Sequence, residues 1–133
     1  MENVQQAEIR IDPFPPSDDL NALWQAAWGD DKPHDFARIL SRSLLHVGAY
    51  ADKRLIGFVN VATDGGKHAF LLDTCVHPAM QRQGIATAMV KAAIQGSAER
   101  GAEWIHVDFE PRLERFYRSC GFAPTAAGLM RLR

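Results

Sequence analysis

The chain has 133 residues and a formal net charge of −1, a length that fits one domain with one core. Hydrophobic residues make up 47% and charged residues 23%, so the balance gives no general attraction to nucleic acid or to an anionic membrane. No apolar run approaches the roughly 20 residues that a membrane span needs. We therefore expect a single domain over residues 1–133 that binds neither nucleic acid nor membrane.

The N-terminal residues, MENVQQAEIRID, contain no apolar segment of the kind found in secretion signals. Within them Met1–Gln6 is polar, and we expect it to be frayed. The two cysteines, Cys75 and Cys120, lie far apart and are expected to be reduced, buried thiols. The five histidines show no ligand spacing, which argues against a metal site. These features together predict a cytoplasmic protein.

The first part of the chain predicts one strand and two helices. Residues 8–12 alternate apolar and polar side chains, as a short strand does, and prolines follow. Ser17 is expected to cap a first helix. A second helix is expected over residues 34–43. The side chains expected to point inward from these helices are Leu20, Leu23, Trp24 and Ala27, then Phe36, Ile39 and Leu40.

The middle of the chain predicts antiparallel strands. Residues 46–51 and 55–62 are rich in strand-forming side chains, and residues 52–54 between them form a hairpin turn. A second turn at residues 64–66 leads to a long apolar strand over residues 69–76, which Pro78 ends.

The remaining elements alternate between helix and strand. A helix is expected over residues 84–100, a strand over 104–109, a helix from Pro111 to Gly121 and a final strand over 128–132. The buried stripe of the long helix is expected to consist of Ile85, Ala88, Met89, Ala92 and Ala93.

This order predicts a mixed sheet. The strand near residue 70, the long helix and the strand near residue 106 make one βαβ unit with parallel strands and a right-handed crossover. The earlier strands are joined by hairpins and are antiparallel. The expected fold class is therefore α+β, a mostly antiparallel central sheet with one parallel pair and helices on its faces.

The segment from Val76 into the long helix suggests an anion site. A buried strand runs into a loop that opens a helix, so backbone N–H groups and the positive end of the helix dipole converge where a phosphate or pyrophosphate can bind. Gly84 permits close approach of the backbone, and Ala86 keeps the next turn small. Gln81 and Arg82 add side-chain donors. The loop lacks the patterns of nucleotide P-loops and of dinucleotide-binding folds.

The same loop resembles a known signature. Gln81, Gly84 and Ala86 meet the pattern Q/R-x-x-G-x-G/A, the acetyl-CoA signature of the GNAT N-acetyltransferase superfamily. The pair Phe116-Tyr117, four residues before Gly121-Phe122, is similar to the second signature of that family. The strand with Leu55-Ile56-Gly57-Phe58 is similar to the strand upstream of the first. The resemblance covers about residues 46–123, and the elements occur in the family order.

The resemblance implies a site for acetyl-CoA as co-substrate. The backbone of the loop would hold the pyrophosphate, and the end of the preceding strand, near Val76, would carry a bulge and pair with the pantetheine arm. Glu110 stands where many members have an asparagine that contacts the pantetheine. The cofactor-binding residues expected on this basis are Val76, Gln81, Arg82, Gln83, Gly84, Ile85, Ala86, Thr87, Glu110 and Phe116.

The resemblance also implies direct transfer of the acetyl group to an amine, without an acyl-enzyme. Tyr117 matches the family's acid, which protonates the departing CoA thiolate; an alternative is a core tyrosine. Asp73 is the first candidate for the base, since it is a carboxylate on an otherwise apolar strand. An alternative for Asp73 is a structural carboxylate that caps a turn or pairs with an arginine. His106, which Asp108 would orient, and Glu110 are the next candidates.

The expected function is transfer of acetyl from acetyl-CoA to a primary amine of a small molecule or protein. The alternative is a non-catalytic acyl-CoA-binding sensor or scaffold. No motif identifies the acceptor, but Trp24, Trp28, Phe36 and the pair Asp30-Asp31 are expected walls of its pocket, and the acidic groups suit a cationic amine. A homodimer is expected from the resemblance alone.

Overall fold

The computed structural model describes residues 7–133, which form five strands, four α-helices and two short 3-10 turns. The strands are β1 (Glu8–Ile11), β2 (Ser43–Ala51), β3 (Arg54–Thr63), β4 (His68–Val76) and β5 (Trp104–His106). The helices are α1 (Ser17–Trp28), α2 (Phe36–Ser41), α3 (Ile85–Glu99) and α4 (Glu114–Ser119), and the 3-10 turns are Pro78–Met80 and Pro111–Leu113. The expectation for Met1–Gln6 lies outside the described residues.

The strands form one sheet in the order β1-β2-β3-β4-β5. The first four strands are antiparallel to their neighbours, and β5 lies parallel to β4, with α3 as the connection. The α+β class and the single parallel pair are therefore confirmed. Asp52 and Lys53 form a two-residue turn with positive φ angles of 49° and 64°, which confirms the hairpin between β2 and β3.

Both faces of the sheet are covered. On one face α3 packs on the centre of the sheet, and that core includes Val47, Val59, Val61, Met89 and Val90. On the other face α1 and α2 bury Leu20, Leu23, Trp24, Phe36 and Leu40 against Leu55, Phe58 and Cys75. Because the central strands are buried on both sides, they are apolar at nearly every position.

Some details of the helices differ from the prediction. Ser17 is the first residue of α1 and makes no capping hydrogen bond, since Pro16 occupies the cap position. Ile39 is 36% exposed because the short α2 has room for only two inward side chains. In α3 Ala88 is exposed and Val90 is buried, because the buried stripe is centred on positions 85, 89, 93 and 97.

The C-terminal part contains less strand than the sequence predicts. The strand expected over residues 104–109 ends at His106, where β5 diverges from β4. The strand expected over residues 128–132 is absent, and residues 123–133 are exposed without helix or strand. An alternating sequence becomes a strand only beside another strand, and the described chain gives this segment no neighbour.

The two cysteines are free thiols, as predicted. Cys75 is buried, and burial raises the pKa of its thiol to about 12, so it is an inert core residue. Cys120 is only half-buried. Between residues 7 and 133, no helix has the length and apolar character that crossing a membrane requires.

Candidate active site

A β-bulge in β4 forms the centre of the site. Phe58 pairs with Cys75 and Asn60 pairs with Leu72, so Val59 alone lies opposite two residues, Asp73 and Thr74. Asp73 has a left-handed φ of 59°, a conformation that aspartate tolerates better than most residues. The bulge thus lies three residues before Val76, close to where the resemblance implies one.

Beside the bulge, β4 and β5 separate. Their pairing extends only to Phe70 and His106, so residues 71–76 have no strand partner on the side of β5. We call the opening between residues 71–76 and residues 107–110 the β4–β5 cleft. Backbone N–H and C=O groups on this edge of β4 are available to an extended ligand, because β3 occupies only the opposite edge.

The loop that follows β4 leads into the N-terminus of α3. The first hydrogen bond within this helix runs from the Ala88 N–H to the Gly84 carbonyl at 3.0 Å, which leaves the N–H groups of residues 85–87 without an intrahelical acceptor. Gly84 has a φ of 77°, and a Cβ built there meets no atom within 4 Å. The helix end is therefore open to an anion.

Side chains of the loop fall into two groups. Gln81 Nε2 donates to the Val76 carbonyl at 3.4 Å, which ties the loop to the end of β4. Arg82, by contrast, is exposed with a φ of 64°, and between residues 7 and 133 its guanidinium has no ion-pair partner. Arg82 is thus available to a phosphate, whereas Gln81 is partly engaged in holding the loop.

Tyr117 reaches the bulge from α4. Its ring is 6% exposed and stacks on Phe109 with a centroid distance of 4.8 Å, while Phe116 and Phe122 meet it edge-on at 4.9 Å and 5.9 Å. Burial raises the pKa of the phenol, and the Thr74 side chain beside its hydroxyl acts in the opposite direction. Tyr117 thus has its ring in the core and its hydroxyl beside the bulge.

Asp73 lies on the other side of the bulge. Its side chain is exposed and has no arginine or lysine partner among residues 7–133. Loss of solvent around the carboxyl nevertheless raises its pKa, and the nearby charge of His34 acts in the opposite direction. Asp73 therefore does not form the ion pair with an arginine that was one alternative for its role.

The other candidates for the base are engaged elsewhere. His106 Nε2 and His68 Nδ1 are 2.8 Å apart, and the His106 ring stacks on Phe70 at 4.8 Å. The partner of His106 is thus His68 rather than Asp108. Glu110 accepts a 2.8 Å hydrogen bond from Arg112 on the exposed side of the chain.

Sequence reasoning did not identify two residues that lie beside this site. Thr74 lies in a largely apolar strand, so its local sequence gives no sign of a role. It lies in the bulge, beside Tyr117. His34 lies in the α1–α2 loop, and its Nε2 is 2.7 Å from Asp30 Oδ2. Residues 30–34 lie outside the helices, so helical spacing gives no signal for this pair.

Comparisons with known proteins agree with this geometry. Residues 7–122 match the model of the acetyltransferase (GNAT) family. The chain is 32% identical over 83 residues to a mycothiol acetyltransferase of Mycobacterium ulcerans (strain Agy99), an alignment that covers 62% of this chain and 26% of that protein. The chain therefore spans only about a quarter of the length of this curated relative.

Solved structures share the fold. A GNAT-family acetyltransferase from Streptococcus pneumoniae TIGR4 superposes with a TM-score of 0.78 at 25% identity, covering 96% of this chain and 98% of that one. The aminoglycoside N-acetyltransferase AAC(6')-Iy, solved in complex with CoA, gives the same TM-score of 0.78 at 20% identity, covering 100% and 98%.

Proposed function

Because the chain belongs to the acetyltransferase (GNAT) family and is thus an acyltransferase, we propose that it transfers an acetyl group from acetyl-CoA to a primary amine. The observation that carries this proposal is the coincidence of three features at one end of β4. These are the bulge at Asp73 and Thr74, the separation of β4 from β5, and the open N-terminus of α3.

Acetyl-CoA fits these features in order. The pyrophosphate binds the free N–H groups of residues 85–87 and the helix dipole, with Arg82 as a side-chain partner. The pantetheine arm extends along the unpaired edge of β4, through the β4–β5 cleft, and pairs with backbone groups near Val76. This path brings the thioester to the bulge, next to Tyr117 and Asp73.

The reaction is direct attack of the amine on the thioester carbonyl. A backbone N–H near Val76 stabilises the oxyanion that forms. The C–S bond then breaks, and Tyr117 supplies a proton to the CoA thiolate. The raised pKa of Tyr117 keeps its hydroxyl protonated at neutral pH, as an acid requires.

A cationic amine is the acceptor class that the charges favour. Asp73 lies at the bulge with no arginine or lysine partner among residues 7–133, and Asp30 lies on the α1–α2 loop beside His34, whose charge acts on Asp73. Carboxylates beside the thioester attract an ammonium group. Trp24 and Phe36, expected as walls of the acceptor pocket, are buried in the core instead, and Trp28, which packs on Trp24 and is 48% exposed, is the one of the three that can supply an apolar contact.

A homodimer and a cytoplasmic setting complete the proposal. The outer edge of β5 has no partner strand within the described sheet, and Leu129, Met130 and Leu132 are 87%, 79% and 86% exposed. Unpaired edges and exposed apolar segments are normally covered. A second copy whose C-terminal segment pairs with β5 would cover both. The free thiols suit a reducing compartment.

Turnover tests this function. The full chain is incubated with acetyl-CoA and a panel of primary amines, including spermidine, kanamycin, tyramine and a lysine peptide, and release of the CoA thiol is recorded. Acetylation of at least one amine, confirmed by mass spectrometry, is the expected result. Tight binding of acetyl-CoA with no thiol release from any amine would instead indicate a non-catalytic binding domain.

A further inference from the structure

The α1–α2 loop, residues 29–35, contains a hydrogen-bonded pair, Asp30 and His34, that has no role in the acetyl transfer as described so far. Asp30 Oδ2 is 2.7 Å from His34 Nε2, and both side chains are 34% exposed. The Asp30 carboxylate also accepts from the Lys32 N–H at 3.0 Å, and the hydrogen bond from His34 is the main cause that lowers the pKa of Asp30. The carboxylate is thus fixed and charged.

The loop is held rigidly around this pair. The His34 backbone N–H donates to Asn21 Oδ1 of α1 at 3.1 Å, and the His34 ring packs on Phe36 at a centroid distance of 5.6 Å. The His34 ring also contacts Trp24 at 6.4 Å, and Trp24 contacts Phe58 of β3 at 5.6 Å.

This packing connects the pair, through Trp24 and Phe58, to the part of the sheet that carries the bulge. Phe58 pairs with Cys75, the residue that directly follows the bulge of Asp73 and Thr74. Burial raises the pKa of Asp73 and the charge of His34 acts against that rise, so the two groups interact electrostatically. The charged groups that face His34 are therefore Asp30 from its own loop and Asp73 from β4, with Lys32 beside Asp30.

The hydrogen bond determines which nitrogen of His34 is available. A charged Asp30 accepts a hydrogen bond, so neutral His34 carries its proton on Nε2 and leaves the lone pair of Nδ1 free. Within residues 7–133, Nδ1 has no hydrogen-bond partner. A carboxylate that fixes the tautomer of a histidine is the arrangement used when histidine acts as a base.

We infer that His34 is the proton acceptor for the incoming amine, that Asp30 is its positioning residue, and that Asp73 binds the ammonium between His34 and the thioester. This inference rests on the proposed acetyl transfer and names its base and its acceptor, a protonated primary amine. Lysine, polyamine and aminoglycoside amines belong to this class.

The proton balance of the reaction is complete with these groups. The ammonium nitrogen loses two protons on becoming an amide. The first passes to His34 Nδ1 before attack and then to solvent. The second leaves the nitrogen as the C–N bond forms and the C–S bond breaks. Tyr117 gives its own proton to the CoA thiolate, and the second proton from the nitrogen restores the Tyr117 hydroxyl. No oxidant or metal takes part.

The test combines His34→Gln with Asp30→Asn. Glutamine keeps an amide donor for Asp30 but has no basic nitrogen, and asparagine at position 30 no longer fixes the tautomer. With the best amine of the panel, each variant is expected to lower kcat about 10²-fold at neutral pH, as loss of a general base does. The KM for acetyl-CoA is expected to change by less than about threefold, since the cofactor loop is untouched.

The pH profile separates a base from a structural residue. Wild-type kcat is expected to reach a plateau on the alkaline side, whereas kcat of His34→Gln continues to rise with pH, because hydroxide must then remove the proton. The double variant is expected to be no worse than the worse single variant, since the two residues act as one unit. Asp18→Asn, an exposed carboxylate change on α1, serves as the control with unchanged kcat.

A second readout does not depend on turnover. Carboxyl NMR titration is expected to show a higher pKa for Asp73 in His34→Gln than in the wild type, because the opposing charge is gone. An unchanged Asp73 titration, or an unchanged pH profile in an active enzyme, contradicts this inference alone. No turnover of any amine by the wild type contradicts the proposed function, and the base assignment with it.

Discussion

The Tyr117 hydroxyl lies beside the Thr74 side chain, so the second signature of the chain meets the bulge of β4. This contact joins two segments that are 43 positions apart in sequence. It places a protonated phenol where the β4–β5 cleft opens. If acetyl-CoA extends through that cleft, the phenol is the nearest proton donor for its sulfur.

Replacement of Tyr117 by phenylalanine is expected to keep the fold and lower kcat. The aromatic contacts to Phe109, Phe116 and Phe122 remain, but the proton for the thiolate must come from water. We expect kcat to fall about 10²-fold, with little change in the affinity for acetyl-CoA. Tyr50→Phe is the matched control, because Tyr50 lies on β2 against Arg10. If the Tyr117→Phe enzyme has the wild-type kcat, Tyr117 is a structural core residue and not the acid.

Ionisation of Asp73 is expected to lower the free energy of unfolding as the pH rises. Its pKa in the folded state is raised, so its stabilising contribution is complete below its unfolded pKa of about 3.9 and is lost as pH rises through the folded pKa. Asp73→Asn is therefore expected to be more stable than the wild type at pH 7 and about equal to it near pH 3.5.

Urea denaturation of both proteins at several pH values measures this difference. Asparagine tolerates the left-handed φ of 59°, so the backbone contributes little to the comparison. A variant that is less stable at pH 7 would show that the carboxylate has a stabilising partner.

His46 is expected to cause a loss of stability in mild acid. The ring is 1% exposed, its Nε2 accepts from the Phe14 N–H at 2.9 Å, and burial lowers its pKa below the usual 6.5. A lowered pKa means that the contribution is present above 6.5 and is lost as pH falls through the folded pKa. The free energy of unfolding is expected to fall below pH 6.5, by at most about 1.4 kcal/mol per pH unit from this group. NMR titration of the His46 ring with a midpoint above 6.5 would contradict this.

Gly84→Ala tests the backbone at the start of α3. A Cβ has room there, but the φ of 77° costs an alanine about 1 to 2 kcal/mol. We expect a loss of stability of that size and weaker binding of acetyl-CoA. Gly128→Ala is the control, because Gly128 lies in the exposed C-terminal segment with no positive φ and open space around it. Equal stability of the two variants would show that the loop adapts.

Removal of residues 128–133 tests the proposed homodimer. If this segment pairs with β5 of a second copy, analytical ultracentrifugation is expected to show a dimer for the full chain and a monomer for the truncated one. The truncation removes the exposed Met130 and Leu132 together with the strand pairing. A full chain that sediments as a monomer at all concentrations would rule out this assembly.

The sequence predicts the parts of the molecule whose signals are local. Alternation and turn residues locate the hairpin at Asp52, and the apolar stripe locates α3, because each depends on neighbours within a few positions. The two signature segments were found for the same reason. The first lies at the end of β4, where Gln81 Nε2 donates to the Val76 carbonyl, and the second brings Tyr117 to Thr74 in the bulge.

Features that depend on distant parts of the chain were missed. Nothing local distinguishes Thr74 from a buried strand residue, because its role depends on the extra residue in β4 and on Tyr117 from α4. The position of His34 depends on α1, where Asn21 accepts from its backbone N–H and Trp24 contacts its ring. The predicted strand at residues 128–132 has the right alternation but has no neighbouring strand among residues 7–133.

Binding of acetyl-CoA is the most direct test of the account. The purified full chain is titrated with acetyl-CoA while the melting temperature is recorded, with desulfo-CoA and ATP as comparison ligands. A ligand that binds only the folded state raises stability by RT ln(1 + [L]/Kd), so the melting temperature is expected to rise with both CoA ligands and not with ATP. No rise at millimolar acetyl-CoA would contradict the cofactor site at α3 and the proposed acetyl transfer.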